Sequence, residues 1–356
     1  MRFYSIQITD SAGLPINLGN TTLAPATFTS FLQGTGHYTP GYSGLTDPGA
    51  LNIEMDIPVV SEEIPSGQGY LKIWGVSLDM VNHASKLNYQ NITIYAGFQK
   101  GLPLADAQLL ASPLRNGIIF KGSIYQAFGN WQGNEQTIEM FLGPQLMPNA
   151  VPKDKTPIVL NCPQGAVLGS AIENALTIAG FGVSSVNISP SLTMMPQPCM
   201  GKYDNIFDFA TDINQLSKDA LSAYPKYAGI KILRNQPNAI SKVPILTVTD
   251  NWVPSADAPI LINFMDMIGQ PVWLDFNTLQ FKLMMRSDIS IGKTVIMPQN
   301  YAINTAQSQS QIKNNIAYTK TAYVSAVRYI GNFRHETGDS WITIIDVLPN
   351  QAAISR

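Results

Sequence analysis

Charged residues are scarce in this chain. They make up 13% of its 356 residues, while hydrophobic residues make up 45%, a composition typical of globular proteins long enough for two or three domains. The 22 basic and 24 acidic residues give a net charge of -2, without the basic surplus that neutralises nucleic-acid phosphates. Sequence-specific nucleic-acid binding is therefore disfavoured. A surface with so few charges is polar or covered by partners, which favours a subunit of an assembly.

Cysteines and long apolar runs are also rare. The two cysteines, Cys162 and Cys199, have neither the spacing nor the neighbouring ligands of a metal site. A disulfide between them stays open, but two buried thiols are the outcome we expect. No window approaches the ~18 uninterrupted apolar residues of a membrane-spanning helix. The first ten residues begin a strand pattern without the charged and apolar regions of a secretion signal, so we expect assembly in a cytoplasm.

Motifs of catalytic and metal sites are missing as well. In Gly41-Tyr-Ser-Gly44 the second glycine comes one residue too early for a nucleophile elbow. His37, His83 and His335 are far apart, which is typical of ordinary polar residues rather than ligands or a general base. His335-Glu336 lacks the second histidine of a zinc helix. We therefore expect no catalytic residue, no metal ligand and no cofactor.

Two other features could be taken for parts of a glycan-cleaving or glycan-binding site. Glu62 and Glu63 are adjacent, and neighbouring carboxylates on a strand point to opposite faces, so they are poorly placed to flank one bond. We predict a solvated turn there. The scattered tryptophans are predicted to be core and interface anchors rather than a sugar-stacking platform. They are Trp74, Trp131, Trp252, Trp273 and Trp341.

Residues 1–147 are predicted to be mostly β. Short apolar runs are separated there by Gly, Pro, Asn and Ser clusters. From Leu51 to Ile57 apolar and polar residues alternate cleanly, which places one face of that strand on a core. This pattern is typical of a barrel or a sandwich.

A different pattern follows from Met147 to Pro157, where three prolines in eleven residues mark a domain boundary. Apolar residues at helical spacing predict a helix from Val167 to Ala179, ended by Gly180. A second helix is predicted from about Asn205, with Asp204 as its N-cap. Residues 155–258 therefore form a predicted α/β insert, and β character returns over 259–350, followed by a short tail, 351–356.

Two phrases near the ends of the β regions are alike. Gly331-Asn332-Phe333 precedes a strand from Trp341 that ends at Pro349, and Gly129-Asn130-Trp131 precedes a strand that ends at Pro144. Both are predicted to be β-hairpins. A coincidental match stays open, because Gly-Asn followed by an aromatic residue is common in β proteins. The alternative is an internal repeat.

Four stretches carry a resemblance to a known family: Asn91–Phe98, Gly117–Tyr125, Ile291–Pro298 and the hairpin Tyr323–Leu348. In them the sequence resembles the central hub proteins of contractile phage tails, a family that includes the late control proteins of tail baseplates. The resemblance spans nearly the whole chain in order, although each motif is structural. It implies two tube-like β-barrel domains, residues 1–147 and 259–350, that flank the small α+β domain.

The resemblance also implies the partners. A homotrimer with two similar domains per chain gives a pseudo-sixfold ring, which joins a threefold central spike below to a sixfold tail tube above. Tube-initiator and tape measure proteins are further expected partners, and DNA passes through the channel without specific binding. No lysozyme or peptidase module is recognisable. The location implied is the tail baseplate of a virion.

We predict structural or interface roles for nine residues: Gly129, Asn130, Trp131, Arg328, Gly331, Asn332, Phe333, Arg334 and Trp341. Two other functions stay open. The first is a β-rich tail adhesin or carbohydrate-binding module, which predicts saturable glycan binding. The second is a tail-associated cell-wall hydrolase, which predicts lysis of cell walls.

Overall fold

A computed structural model shows a mainly β chain. It describes residues 2–18, 27–31, 47–59, 61–62, 69–98, 117–143, 156–189, 192, 198–224, 227–234, 245–253, 258–275, 278–297 and 321–349. In chain order the elements are β1 (Arg2–Thr9), β2 (Thr27–Thr29), β3 (Ile53–Val59), β4 (Gly69–Trp74), α1 (Leu78–Asn82), β5 (Asn91–Phe98), β6 (Gly117–Gln132), β7 (Glu135–Gly143), β8 (Ile158–Cys162), α2 (Leu168–Ile178), β9 (Gly182–Asn187), β10 (Cys199–Tyr203), α3 (Ile206–Ala220), β11 (Lys231–Arg234), β12 (Ile245–Thr249), β13 (Ile260–Leu261), β14 (Val272–Trp273), β15 (Leu279–Met284), β16 (Thr294–Ile296), β17 (Thr321–Asn332) and β18 (Trp341–Pro349).

One large sheet contains most of the strands. Among the described residues it has thirteen strands, and its main path runs β14-β15-β18-β17-β3-β4-β7-β6-β5-β1-β2. β17 pairs with β18 along one edge, and along the other it pairs first with β16 and then with β3. The sheet thus joins strands from the beginning of the chain to strands from its end.

The core of this sheet follows from the alternation of its strands. In β4, Leu71 and Ile73 are fully buried while Lys72 and Trp74 between and after them are partly exposed. β3 alternates in the same way with Ile53, Met55 and Ile57. Apolar side chains from both β regions meet in one continuous cluster, whose burial supplies the main stabilisation of the sheet.

The insert has its own core. β8 pairs with β10, and a second small sheet has the order β11-β12-β9. Side chains between Ile158 and Val248 form a separate buried cluster that includes the apolar faces of both longer helices. As predicted, the first of these helices is followed by Gly180, whose φ of +85° is the left-handed conformation that suits glycine at a helix end.

The predicted cap of the second helix is wrong by one residue. Asn205, not Asp204, is the N-cap of α3, and its Oδ1 accepts a hydrogen bond of 2.8 Å from the backbone N–H of Asp208. Either residue type can cap a helix. The sequence alone therefore could not distinguish these two neighbours.

The insert contacts the large sheet through a partly buried ion pair. Glu62 follows β3, and its carboxylate accepts two hydrogen bonds from the Arg234 guanidinium at 2.8 and 3.1 Å. The backbone N–H of Glu62 also donates to the carbonyl of Ile232, at 2.9 Å. Glu62 lies in a turn, as predicted, but the expectation that it is solvated is wrong, because Arg234, far along the chain, covers it. Glu63 lies outside the described residues.

A second group of buried charges lies in the C-terminal β region. Arg286 is 3% exposed, and it donates to Asp288 at 2.7 Å and to Asp266 at 3.2 Å. Its backbone N–H donates to the Thr343 hydroxyl on β18, at 3.0 Å. Two carboxylates on one guanidinium satisfy a charge that would otherwise be costly to bury.

The mainly β prediction with a helical insert is confirmed, while several details are new or different. Helix α1 and strands β9 and β10 were not predicted. The sequence from Ile289 to Pro298 predicts a further strand entered through Gly292; the structure has a strand only over Thr294–Ile296, after a turn with Gly292 at φ +85°. The division of the β part into two barrels stays a prediction. Gly41–Gly44, His37 and residues 300–315 lie outside the described part of the chain.

Candidate assembly surface

The two predicted hairpins are the β6–β7 and β17–β18 pairs, and both carry the same irregularity. In the first, Ile124 pairs with Leu142 and Gln126 with Phe141, so Tyr125 is an extra, bulged residue. In the second hairpin the same shift makes Ser325 the bulged residue, next to the pair Val324–Val347. Leu142 and Val347 each lie two positions before the proline that follows, Pro144 or Pro349. Bulges bend a strand at a fixed place, and this shared position supports a duplicated element.

The strand register of the two hairpins gives a different alignment from the one based on their Gly-Asn motifs. Gly129 lies four residues beyond its bulge and pairs with Ile138, whereas Gly331 lies six residues beyond its bulge and pairs with Trp341. Aligning the two bulges matches Gly331 with Trp131, two residues away from the alignment based on the Gly-Asn motifs. An even shift leaves both glycines on the same face of their strands.

Both glycines allow another element to approach the strand closely. A Cβ at Gly129 would lie 2.3 Å from the carbonyl oxygen of Val81 in α1. A Cβ at Gly331 would lie 2.7 Å from the Trp341 ring and 2.6 Å from the Met55 methyl group. The glycines are thus explained by packing inside one chain.

The second hairpin joins the first β region along the β17–β3 pairing, which we call the seam. Arg328 on β17 donates to both carboxylate oxygens of Asp56 on β3, at 2.7 and 2.5 Å. Next to it, the Asn332 amide donates to Glu54 at 3.0 Å. These pairs are partly exposed, so their contribution to stability is modest. They hold the two β regions in one register.

Arginines close the seam at the loop after β17. Arg334 donates to the carbonyls of Pro48, at 3.0 Å, and Ala50, and its backbone N–H donates to the Asn52 side chain at 3.0 Å. Arg2, at the other end of the chain, donates to the carbonyl of Thr337 at 3.0 Å. Burial lowers the pKa of Arg2 from its ordinary value. Arg334, which was predicted to have a structural or interface role, thus makes hydrogen bonds within its own chain, to residues that the structure describes.

Aromatic side chains pack beneath the same loop. Trp341 is fully buried, and its indole N–H donates to the carbonyl of Gly97 at 3.1 Å. Phe333 contacts the Trp341 ring edge to face, with centroids 5.8 Å apart, and contacts Tyr4 at 4.9 Å. The six C-terminal residues predicted for the site thus meet at the seam. Trp131 is 61% exposed at the tip of the other hairpin, with Gly129 and Asn130 leading to it.

The side of the large sheet opposite its core carries charged and polar side chains among apolar ones such as Ile330, Ile344 and Phe141, and we call it the polar sheet face after its charged residues. It runs from β15 through β18, β17, β3, β4 and β7 to the end of β6. By strand alternation its charged residues are Glu54, Asp56, Lys72, Glu135, Glu139, Lys282, Arg328 and Asp346. Five carboxylates against three cations make this face slightly acidic.

Several charged groups on the polar sheet face have polar partners across strands. Lys72 lies 3.1 Å from Glu139, and the ammonium lies over the Trp74 ring at 4.1 Å from its centroid. The Tyr70 hydroxyl donates to Glu139 at 3.1 Å, and burial followed by that carboxylate raises the pKa of Tyr70. Sequence reasoning found the alternation in β3 but missed this face, because strand order is not encoded in any single strand.

The described residues show no arrangement of metal ligands. Within them, no group of three or more His, Cys, Asp or Glu side chains could hold a metal ion. His83 contacts Asp79, and His335 contacts Thr337 at 2.9 Å. In the same part of the chain, no helix has the length and apolar character of a membrane span.

Comparison with known proteins identifies no family by sequence: no family model and no curated protein matches the chain. Its structure is similar to several solved structures at low identity. The E. coli c3393 protein is a type VI secretion component described as similar to the T4 tail proteins gp27 and gp5. It is 11% identical over 84% of this chain and 73% of its own, with a TM-score of 0.43.

Two further structures show the same level of similarity. The tail protein from Neisseria meningitidis MC58 is 7% identical over 97% of this chain and 96% of its own, with a TM-score of 0.46. A chain of the half-lidded Francisella PdpA-VgrG complex is 10% identical, with a TM-score of 0.45; the match covers 99% of this chain and 58% of that one. All three are similarities in structure at 7–11% identity.

Proposed function

We propose that this chain is the structural baseplate hub of a contractile phage tail. Three copies form a ring in which each chain supplies two related hairpins, so that six similar faces meet a sixfold tube while the ring keeps threefold symmetry for the spike. The observation that carries this proposal is the pair of bulged hairpins joined in one sheet through the seam. In this proposal the function of the chain is to match a sixfold tube to a threefold spike, and it is not catalytic.

The sheet provides a reason for self-assembly. Among the described residues, its main path ends in β2 and β14, which have three and two residues. Unpaired strand edges are a liability that proteins cover or pair. In a closed ring, one end of the sheet in each chain can lie against the other end in its neighbour, which is a heterologous contact that closes by rotation.

The polar sheet face supports a role as the channel wall. With five carboxylates and three cations, it offers DNA phosphates no basic track. Phosphate binding needs clustered Lys and Arg, so a slightly acidic wall lets DNA pass without sticking. In this proposal the partners are the central spike below, tube or tube-initiator proteins above, and the tape measure protein. Assembly takes place in the host cytoplasm, and the final location is the virion baseplate.

A carbohydrate-binding adhesin is the second candidate, and one observation favours it. Trp131 is 61% exposed on a hairpin tip, where an indole ring can stack on a sugar. This function predicts saturable glycan binding that Trp131→Ala abolishes without any change in the mass of the assembly. The hub predicts no such binding.

The hub predicts a stable trimer. Light scattering of the purified chain at tens of micromolar, alone and with its spike protein, should give a hub mass of about 116 kDa, three times 38.8 kDa. The expected mass does not depend on any small ligand, because edge strands and not a bound molecule hold the ring together. Monomers in both samples would contradict the proposal.

A further inference from the structure

The two cysteines face each other across the small sheet of the insert. β8 and β10 are antiparallel, and Cys199 is the direct partner of Cys162. Directly opposed residues of such a pair have Cα atoms roughly 4.5–5.5 Å apart and side chains on one face. Disulfides form at Cα separations of about 4.4–6.8 Å. Both thiols are free in the structure.

The two thiols differ in burial, and this difference determines which of them reacts first with an oxidant. Cys162 is fully buried on the face that carries Ile158 and Leu160, so only Cys199, which is half-buried, can be reached from solvent. The expectation of two buried thiols is thus correct for Cys162 and wrong for Cys199. Burial raises the pKa of both thiols, and for Cys199 the neighbouring Cys162 and Asp212 raise it further. Thiols of this kind react slowly at neutral pH.

We propose that Cys162 and Cys199 are a reversible disulfide site that is oxidised by small-molecule disulfides such as oxidised glutathione. The Cys199 thiolate attacks the oxidant, forms a mixed disulfide and releases one small thiol. The Cys162 thiolate then attacks the Cys199 sulfur, closes the protein disulfide and releases the second small thiol. The two protein thiols lose two electrons, the oxidant gains them, and the two protons leave on the small thiols.

The disulfide would be a covalent cross-link within the insert. It would connect the two ends of the segment 163–198, which contains α2 and β9. A link across such a loop restricts the unfolded chain and stabilises the fold. In a reducing cytoplasm the thiols stay free, and outside it they pair. This proposal does not depend on the hub function.

Mass spectrometry of the full chain tests the proposal directly. After incubation with oxidised glutathione, the wild type should lose about 2 Da, yield one peptide that links Cys162 to Cys199, and melt roughly 5–10 °C higher. Dithiothreitol should reverse all three changes. Since the thiolate reacts, the rate should rise about tenfold from pH 7 to pH 8. A product that carries glutathione on Cys199 and no bridge would overturn the proposal.

A register control separates pairing from general reactivity. In a Cys199→Ser background, Met200→Cys puts a thiol one residue along the same strand, on the opposite face and opposite Asn161. This variant should form no bridge to Cys162. A bridge as rapid as in the wild type would contradict the proposal. The wild-type measurement stands on its own if the variant does not fold.

Discussion

Replacing Trp341 with alanine is expected to lower the free energy of unfolding by about 3–5 kcal/mol, the usual cost of removing a fully buried aromatic side chain. Trp341 is 0% exposed, contacts Phe333, and donates a hydrogen bond to the carbonyl of Gly97. Its removal leaves a cavity beside the seam and takes away the donor to a buried carbonyl. Urea denaturation followed by circular dichroism measures the loss.

Trp131→Ala is the matched control for that experiment. The same side chain is 61% exposed at a hairpin tip, so its removal from the isolated chain should change stability by no more than about 0.5 kcal/mol. Equal losses in the two variants would show that Trp341 does not anchor the seam. Both variants replace tryptophan with alanine, so the comparison keeps the type of substitution constant.

Replacing Arg286 with methionine is expected to cost about 3–5 kcal/mol, because it leaves two carboxylates without their counter-ion in a buried site. Asp266 is 3% exposed and Asp288 shares the guanidinium with it. The same change at Arg328, whose pair with Asp56 is about half exposed, should cost less than about 1 kcal/mol. Chemical denaturation of both variants gives the two values.

A double substitution tests the origin of the Arg286 effect. If an unpaired charge causes the loss, Asp266→Asn should recover part of it in the Arg286→Met background, since the neutral amide is less costly to bury. Additive losses for the two changes would instead place the cost in packing.

Local features of this fold could be predicted from the sequence. The alternation from Leu51 to Ile57 gave β3 and its buried face, and apolar spacing followed by Gly180 gave the first long helix and its end. Each of these signals comes from residues that are close in sequence, within a single strand or a single helix and its end. Both hairpins were predicted for the same reason, because their strands are close in sequence.

Features that depend on distant contacts could not be predicted. The seam pairs Arg328 with Asp56 across 272 positions, and Arg234 covers Glu62 across 172. No local pattern distinguishes buried Trp341 from exposed Trp131, since both follow a Gly-Asn phrase near a strand. The two-residue difference between the alignment on the bulges and the alignment on Gly-Asn has the same origin, because a bulge is set by cross-strand register and not by composition.

Electron microscopy of the chain assembled with its spike tests the central claim most directly. The hub account predicts a closed ring of three chains, with six similar hairpins around a channel lined by the polar sheet face. A ring of any other chain number, or a channel lined by Lys and Arg, would contradict it.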